Sequence, residues 1–165
     1  MEIIQLTKEV KNNLNEALRE AQKATCTKSK VGAIIIKDGI VIGRGFNSPP
    51  GNLESQRRCN RKSELKPGFK SDKTCCVHAE QRAIIDALKN NSDKLIGSDI
   101  YLARLNGDGS KKEFSKPYCT ICSKLILDVG IKRTIRLKPE GVLVYEAEEY
   151  NNESYNYDGE PTVTK

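Results

Sequence analysis

Two short fragments, CVHAE at 76–80 and PYCTIC at 117–122, constrain the fold of this chain more than any other feature. Each lies where a polar loop runs into a segment with helical apolar spacing. Two cysteines three residues apart at a helix start, Cys119 and Cys122, can direct their sulfurs at one point, and the positive helix end favours the thiolate that binds zinc. His78, the one histidine of the chain, supplies a third ligand. The fold must therefore bring two helix starts together.

Three protein ligands leave the fourth position of a tetrahedral zinc open for water, which is typical of catalytic sites. Glu80 lies two residues after His78, an offset at which two side chains do not point the same way from a helix. We therefore expect Glu80 to take a proton from an attacking water and pass it to a leaving group, not to bind the metal. The alternative is a closed structural site in which Cys75 or Cys76 is the fourth ligand.

Around these fragments, helix-like and strand-like patterns alternate. Asp38-Gly39 between two β-branched runs predicts a hairpin, and the order of the other segments predicts helices that cover one mixed sheet. We expect an α/β fold, a single three-layer α/β/α domain with a central mixed five-stranded sheet. The predicted strands are 31–36, 40–45, 98–105, 134–137 and 142–145, and the predicted helices are 3–24, 78–89 and 120–129, after which the order leaves room for a last helix.

The length of 165 residues suits one domain with a modest core. We assign residues 1–150 to this domain and residues 151–165 to a polar, flexible tail. No apolar run reaches the ~18 residues of a membrane-spanning helix, and the N-terminus lacks the apolar stretch of a secretory signal, so we expect a cytoplasmic location and no membrane partner. The net charge of +6 suits an anionic ligand, either a nucleotide phosphate or a nucleic acid.

The order of the two fragments, H-x-E and then C-x-x-C, resembles the zinc-dependent nucleobase deaminases of the cytidine and deoxycytidylate deaminase superfamily, and within it deoxycytidylate deaminases most closely. The resemblance covers roughly residues 30–137 and includes GRGFN at 43–47 with PPG at 49–51. One difference is Tyr118, which separates Pro117 from the first cysteine, whereas the family has proline directly before it.

The resemblance implies hydrolytic deamination of a cytosine nucleotide, dCMP to dUMP plus ammonia, with one catalytic Zn²⁺. The residues implied to bind zinc or to act in catalysis are His78, Cys119, Cys122 and Glu80. In the implied substrate pocket, Asn47 would bind the sugar or the base and the backbone N–H of Ala79 would bind the base carbonyl. A carbonyl near Tyr118 would accept from the exocyclic amine, and the ring of Tyr118 or Phe46 would stack on the base.

The loop that follows Asn47 is rich in basic residues. We expect Arg57 and Arg58, together with Arg61 and Lys62, to bind the substrate phosphate, because guanidinium groups bind phosphate oxygens in bidentate fashion. The alternative is a solvated basic loop with no ligand.

Four further cysteines allow two interpretations. Cys26, Cys59, Cys75 and Cys76 form either a second, structural zinc site, as some relatives have, or a set of free thiols, and we favour the free thiols because no second histidine is present.

Other functions remain as alternatives. The chain could deaminate a nucleoside, another nucleobase, or a base in RNA or single-stranded DNA, or it could be a non-catalytic zinc-stabilised binding module. A nucleic-acid partner is not favoured, since no basic stripe is interleaved with aromatic residues. We expect a homo-oligomer.

Overall fold

The computed structural model describes residues 1–27, 29–58, 75–113, 117–138 and 141–157. The strands are β1 (Glu2–Ile4), β2 (Lys30–Lys37), β3 (Ile40–Phe46), β4 (Asp99–Leu105), β5 (Lys111–Lys112), β6 (Arg133–Lys138) and β7 (Gly141–Glu146). The α-helices are α1 (Lys8–Lys23), α2 (Ala79–Asn90), α3 (Thr120–Asp128) and α4 (Ala147–Tyr155). Short 3₁₀ turns follow β3 and α2.

The strands form one mixed sheet in the order β1-β7-β6-β4-β2-β3, with β5 beside β4. Strands β4 and β6 run parallel and are joined through α3, while the other neighbours are antiparallel. A parallel pair needs such a crossover, so α3 begins at the edge of the sheet where β4 ends. The expected α/β fold is therefore confirmed.

Two apolar clusters separate the layers of the domain. On one face of the sheet, α1 packs on residues such as Ile34 and Tyr101. On the other face, α2, α3 and α4 pack on Ala33, Ile100 and Leu102. Alternation along each strand sends successive side chains to opposite faces, and this accounts for the α/β/α layering that the sequence predicts.

Helix α2 lies unusually close to β3 because two glycines of the strand face it. A Cβ atom on Gly43 would lie 2.4 Å from the carbonyl oxygen of Ala83, and one on Gly45 would lie 2.3 Å from the carbonyl oxygen of Ala79. The contact is therefore backbone to backbone, and it sets the height of the first turn of α2 above the sheet.

The prediction of five strands is wrong, since the sheet has seven. The first helix was expected to begin at residue 3, but Ile3 and Ile4 belong to β1 and pair with β7, and the helix begins only at Lys8. Thr7 explains this start, because its side chain accepts a hydrogen bond from the N–H of Val10 as a helix N-cap. Strand β5 consists of two exposed lysines and carries no apolar alternation that would reveal it.

The C-terminal helix α4 spans the position at which we divided domain from tail. Tyr150 and Ser154 of this helix are 3% exposed, so the chain is packed to at least this point. The division at residue 150 stays a prediction, and residues 158–165 lie outside the described residues. None of the described helices combines the length and the apolarity that crossing a membrane demands.

Candidate active site

Three side chains from two helix starts converge on one point. The Nδ1 atom of His78 lies 3.2 Å from the sulfur of Cys122 and 3.4 Å from that of Cys119, and the two sulfurs are 3.2 Å apart. His78 is the residue directly before α2, and Cys119 is the residue directly before α3. The two fragments that are 41 residues apart in the chain thus meet on the same face of the sheet, as the sequence predicts.

Local hydrogen bonds hold these helix starts in place. The side chain of Gln81 accepts from the N–H of His78 at 2.9 Å, and the sulfur of Cys119 accepts from the N–H of Cys122 at 3.4 Å. Behind Cys122, the hydroxyl of Ser123 is buried and lies 2.6 Å from the hydroxyl of Ser154 on α4. Helix α4 therefore anchors the helix that carries both sulfur ligands.

Hydrogen bonds within the cluster shift the pKa values of all three side chains. The hydrogen bond between the two sulfurs lowers the pKa of Cys119 to about 4, and the adjacent imidazole of His78 contributes in the same direction. The Cys119 thiolate in turn raises the pKa of His78 to about 9. The pKa of Cys122 is raised, chiefly by its hydrogen bond with the sulfur of Cys119 and then by burial. Metal binding at such a cluster displaces the remaining protons, since zinc binds thiolate and neutral imidazole.

The donor set fits zinc. Bond lengths of ~2.0–2.1 Å to nitrogen and ~2.3 Å to sulfur in a tetrahedron put the donors roughly 3.5–3.8 Å apart. The three donors need to separate by only about half an ångström or less to reach this geometry. Within the described ranges, His78, Cys119 and Cys122 are the group of His, Cys, Asp and Glu side chains close enough to hold a metal. Three ligands leave a coordination position free for water.

The closed four-ligand alternative finds no support in this geometry. Neither Cys75 nor Cys76 belongs to the cluster, and the sulfur of Cys75 instead accepts a hydrogen bond from the N–H of Arg58 at 3.0 Å. Cys26, Cys75 and Cys76 form no disulfide among the described residues, whereas Cys59 lies outside them, so the choice between a second zinc site and free thiols stays a prediction.

Glu80 is buried in the first turn of α2, beside the metal-ligand cluster. Glu80 is only 8% exposed. Burial raises the pKa of its carboxyl group above the ordinary value, and the charges of His78 and Arg136 oppose this rise. A buried carboxyl with a raised pKa can hold a proton during a reaction at neutral pH and then release it. The position suits the acid–base role that we predict for it, and that role stays a prediction.

A buried arginine that the sequence analysis missed lies behind Glu80. Arg136 of β6 is 2% exposed, and its guanidinium carbon lies 4.6 Å from the ring centre of Tyr150 and 5.8 Å from that of Tyr145. Such cation–π contacts stabilise a desolvated guanidinium. The sequence held only an indirect sign of this contact. Ala147, Tyr150 and Ser154 have the spacing of one helical face, which predicts that Tyr150, a partner of Arg136, points inward.

The predicted substrate residues lie in different surroundings. The backbone N–H of Ala79 is among the first N–H groups of α2, which have no acceptor within the helix. Tyr118 adjoins the ligand Cys119, and its ring centre lies 5.9 Å from that of Tyr157. Phe46 instead faces the guanidinium of Arg82, 5.9 Å from its ring centre. Their roles in binding stay predictions.

Asn47 is buried, and its side chain is held by the backbone at the start of β2. Its side-chain oxygen accepts from the N–H of Val31 at 2.8 Å, and its amide nitrogen donates to the carbonyl of Ser29 at 2.8 Å. One amide hydrogen remains for a ligand, because the amide has two donors. A structural role thus accompanies the predicted substrate contact.

The predicted phosphate-binding arginines are engaged with the protein itself. The guanidinium of Arg57 pairs with the carboxylate of Glu54 and donates to the carbonyl of Thr25 at 3.0 Å. The guanidinium of Arg58 donates to the carbonyls of Ser55 at 2.7 Å and Arg57 at 2.9 Å. Arg61 and Lys62 lie outside the described residues. Phosphate binding by this loop stays a prediction.

Comparisons with known proteins agree with the geometry. Residues 7–138 match the family described as the cytidine and deoxycytidylate deaminase zinc-binding region. Deoxycytidylate deaminase of Mycobacterium phage D29 is 34% identical over 128 residues, which cover 74% of this chain and 88% of that protein. Human deoxycytidylate deaminase is 31% identical over 121 residues, which cover 72% of this chain but 58% of the human protein.

A solved structure shares the fold. The dCMP deaminase of cyanophage S-TIM5 in complex with dCMP and dUMP superposes with a TM-score of 0.55 at 23% identity, covering 79% of this chain and 82% of that one. The zinc-binding region of the family contains both ligand fragments of this chain, and their side chains form the His-Cys-Cys cluster for one catalytic zinc. The chain belongs to the cytidine and deoxycytidylate deaminase family.

Proposed function

We propose that this chain is a zinc-dependent hydrolase that converts dCMP to dUMP and ammonia. The observation that carries this proposal is the His78, Cys119 and Cys122 cluster with the buried carboxyl of Glu80 beside it. The choice of dCMP is supported by the relative from phage D29, a deoxycytidylate deaminase of which this chain covers 88%.

Different residues of the site bind the metal, hold the base carbonyl and transfer protons. His78, Cys119 and Cys122 would hold the zinc, and the bound ion would supply the Lewis acidity that makes water a stronger nucleophile at neutral pH. The first N–H groups of α2 are unpaired donors that can hold the base carbonyl, and Ala79 supplies one of them. Glu80 accepts the proton of the attacking water and delivers it to the departing amine, so one carboxyl serves both proton transfers.

The test is turnover of a panel of dCMP, deoxycytidine, cytidine, deoxyadenylate, RNA and single-stranded DNA, followed as ammonia release. We expect dCMP to be the preferred substrate. Glu80→Gln keeps the size of the side chain but removes its acid–base function, so we expect it to retain zinc and lose ~10²–10⁴-fold in kcat. Glu20→Gln is the matched control, because Glu20 is 3% exposed on α1, across the sheet from the cluster.

Three results would contradict the proposal. Near-normal turnover by Glu80→Gln would remove the carboxyl from the mechanism. Zinc binding without turnover of any substrate in the panel would instead favour the non-catalytic binding module, and turnover only within RNA or single-stranded DNA would favour base editing. The homo-oligomer and the cytoplasmic location stay predictions.

A further inference from the structure

The carboxyl end of β4 carries an arginine on the same face of the sheet as the zinc ligands. Ile100 and Leu102 of β4 pack in the cluster beneath α2 and α3, and Arg104, two residues further, projects to the same side. Because α3 follows β4 by a crossover, its ligand-bearing start lies outside the end of this strand, where open α/β sheets bind ligands. Arg104 therefore lies at the rim of the candidate active site.

Hydrogen bonds tie Arg104 to a predicted substrate residue. The Nε atom of Arg104 donates to the hydroxyl of Ser29 at 2.5 Å, and the carbonyl of the same serine accepts from the side chain of Asn47. The guanidinium is thus held in place through Nε, while its two terminal nitrogens make no hydrogen bond to the described residues.

In the part of the chain that the structure describes, the positive charge of Arg104 has no carboxylate counterion. Among the described residues, no carboxylate lies within ion-pair distance of Arg104, whereas Arg57 pairs with Glu54. Across the strand pair, Arg104 lies directly opposite Lys112 of β5, and opposed residues share a face of the sheet. Two like charges placed opposite each other are unfavourable, and a bound anion would relieve their repulsion.

We propose that Arg104, held by Ser29 at the end of β4, binds the 5′-phosphate of the substrate and so makes the enzyme select a nucleotide over a nucleoside. This inference rests on the proposed function. The terminal nitrogens of a guanidinium match two phosphate oxygens, and Lys112 adds a second positive charge on the same face. The loop arginines Arg57 and Arg58 have fewer N–H donors left for a phosphate, because their guanidinium groups already donate to protein oxygens.

The experiment compares kcat/KM for dCMP and deoxycytidine in wild type, Arg104→Gln, Arg104→Lys, Arg57→Gln and Arg19→Gln. We expect Arg104→Gln to lower kcat/KM for dCMP by ten- to a hundredfold, about what one charge-assisted contact contributes, and to leave the value for deoxycytidine near that of wild type. Arg104→Lys keeps the positive charge but not the paired nitrogens of the guanidinium, so its kcat/KM for dCMP should lie between those of Arg104→Gln and wild type. The matched control is Arg19→Gln, an exposed arginine of α1 on the other face of the sheet, which should change neither value, whereas Arg57→Gln tests the competing prediction that the loop binds the phosphate.

A binding measurement separates this inference from the proposed reaction. Calorimetric titration with dUMP and with deoxyuridine needs no turnover, and we expect Arg104→Gln to weaken dUMP binding alone. If wild type binds dUMP but deaminates nothing, the proposed function is wrong, and the titration still decides the role of Arg104. Equal losses for nucleotide and nucleoside, or a loss for dCMP in Arg57→Gln but not in Arg104→Gln, would overturn the inference.

Discussion

The close contact of β3 with α2 predicts that one methyl group on the strand displaces the catalytic turn. In Gly45→Ala the new Cβ would lie 2.3 Å from the carbonyl oxygen of Ala79 and 2.4 Å from the backbone nitrogen of Ala83. Real Cβ contacts are essentially never shorter than 3.0 Å, so the first turn of α2 must move by about 0.7 Å or more. Both obstructing atoms are helix backbone, so no side-chain rotation can relieve the contact.

The displacement has consequences for stability and for turnover. Overpacking of this kind costs ~1–3 kcal/mol, and for a chain of this length 2 kcal/mol lowers Tm by about 4–8 °C. Since Ala79 lies between His78 and Glu80, the same movement carries a zinc ligand and the acid–base group, and a misplacement of ~1 Å can cost ~10²-fold in rate. We therefore expect kcat to fall more than the loss of folded protein explains.

The assay measures Tm by circular dichroism, zinc content by atomic emission, and kcat for dCMP at a temperature where both proteins are folded. Gly107→Ala is the matched control, because a Cβ there meets no atom within 4 Å and its φ is not in the left-handed region. A Gly45→Ala protein with the Tm and kcat of wild type would refute the argument that this glycine sets the position of α2.

Two further variants test the cluster and its surroundings. Cys122→Ser should purify with little zinc and a lowered Tm, because a neutral hydroxyl replaces a buried thiolate ligand, whereas Cys75→Ser should keep one zinc per chain; metal analysis that finds equal zinc in both would reject the ligand assignment. Asn47→Ala should lose ~1–3 kcal/mol in thermal or urea unfolding, since it leaves the N–H of Val31 and the carbonyl of Ser29 without their partner, and an unchanged unfolding free energy would mean that the amide acts on substrate alone.

The metal site could be predicted from sequence because its chemistry is local. Cys119 and Cys122 are three residues apart at a helix start, and the chain offers a single histidine as partner, so few arrangements remain. The sheet was harder to predict at its margins. Strand β5 exists because two lysines pair with the end of β4, and neither has the apolar character by which a strand is recognised.

Side chains whose partners come from distant segments could not be predicted. Arginine is among the residues least often buried, so Arg136 in a predicted strand gave no reason to expect it inside. Its aromatic partners, Tyr145 and Tyr150, belong to later elements. Asn47 was expected to face substrate, yet the backbone that its amide holds lies 16 and 18 residues earlier, a distance at which no sequence pattern reports a contact.

The meeting of His78 with Cys119 also bears on the chain entropy of the unfolded protein. A zinc ion held by both closes a loop of 41 residues, and a crosslink of that span removes roughly 4 kcal/mol of unfolded-state entropy in the loop-closure treatment used for disulfides. That entropy varies only with the logarithm of loop length, so ten additional residues would change it by about 0.2 kcal/mol. The segment between β4 and α3 can therefore gain or lose residues at little thermodynamic cost, provided that both helix starts still reach the metal.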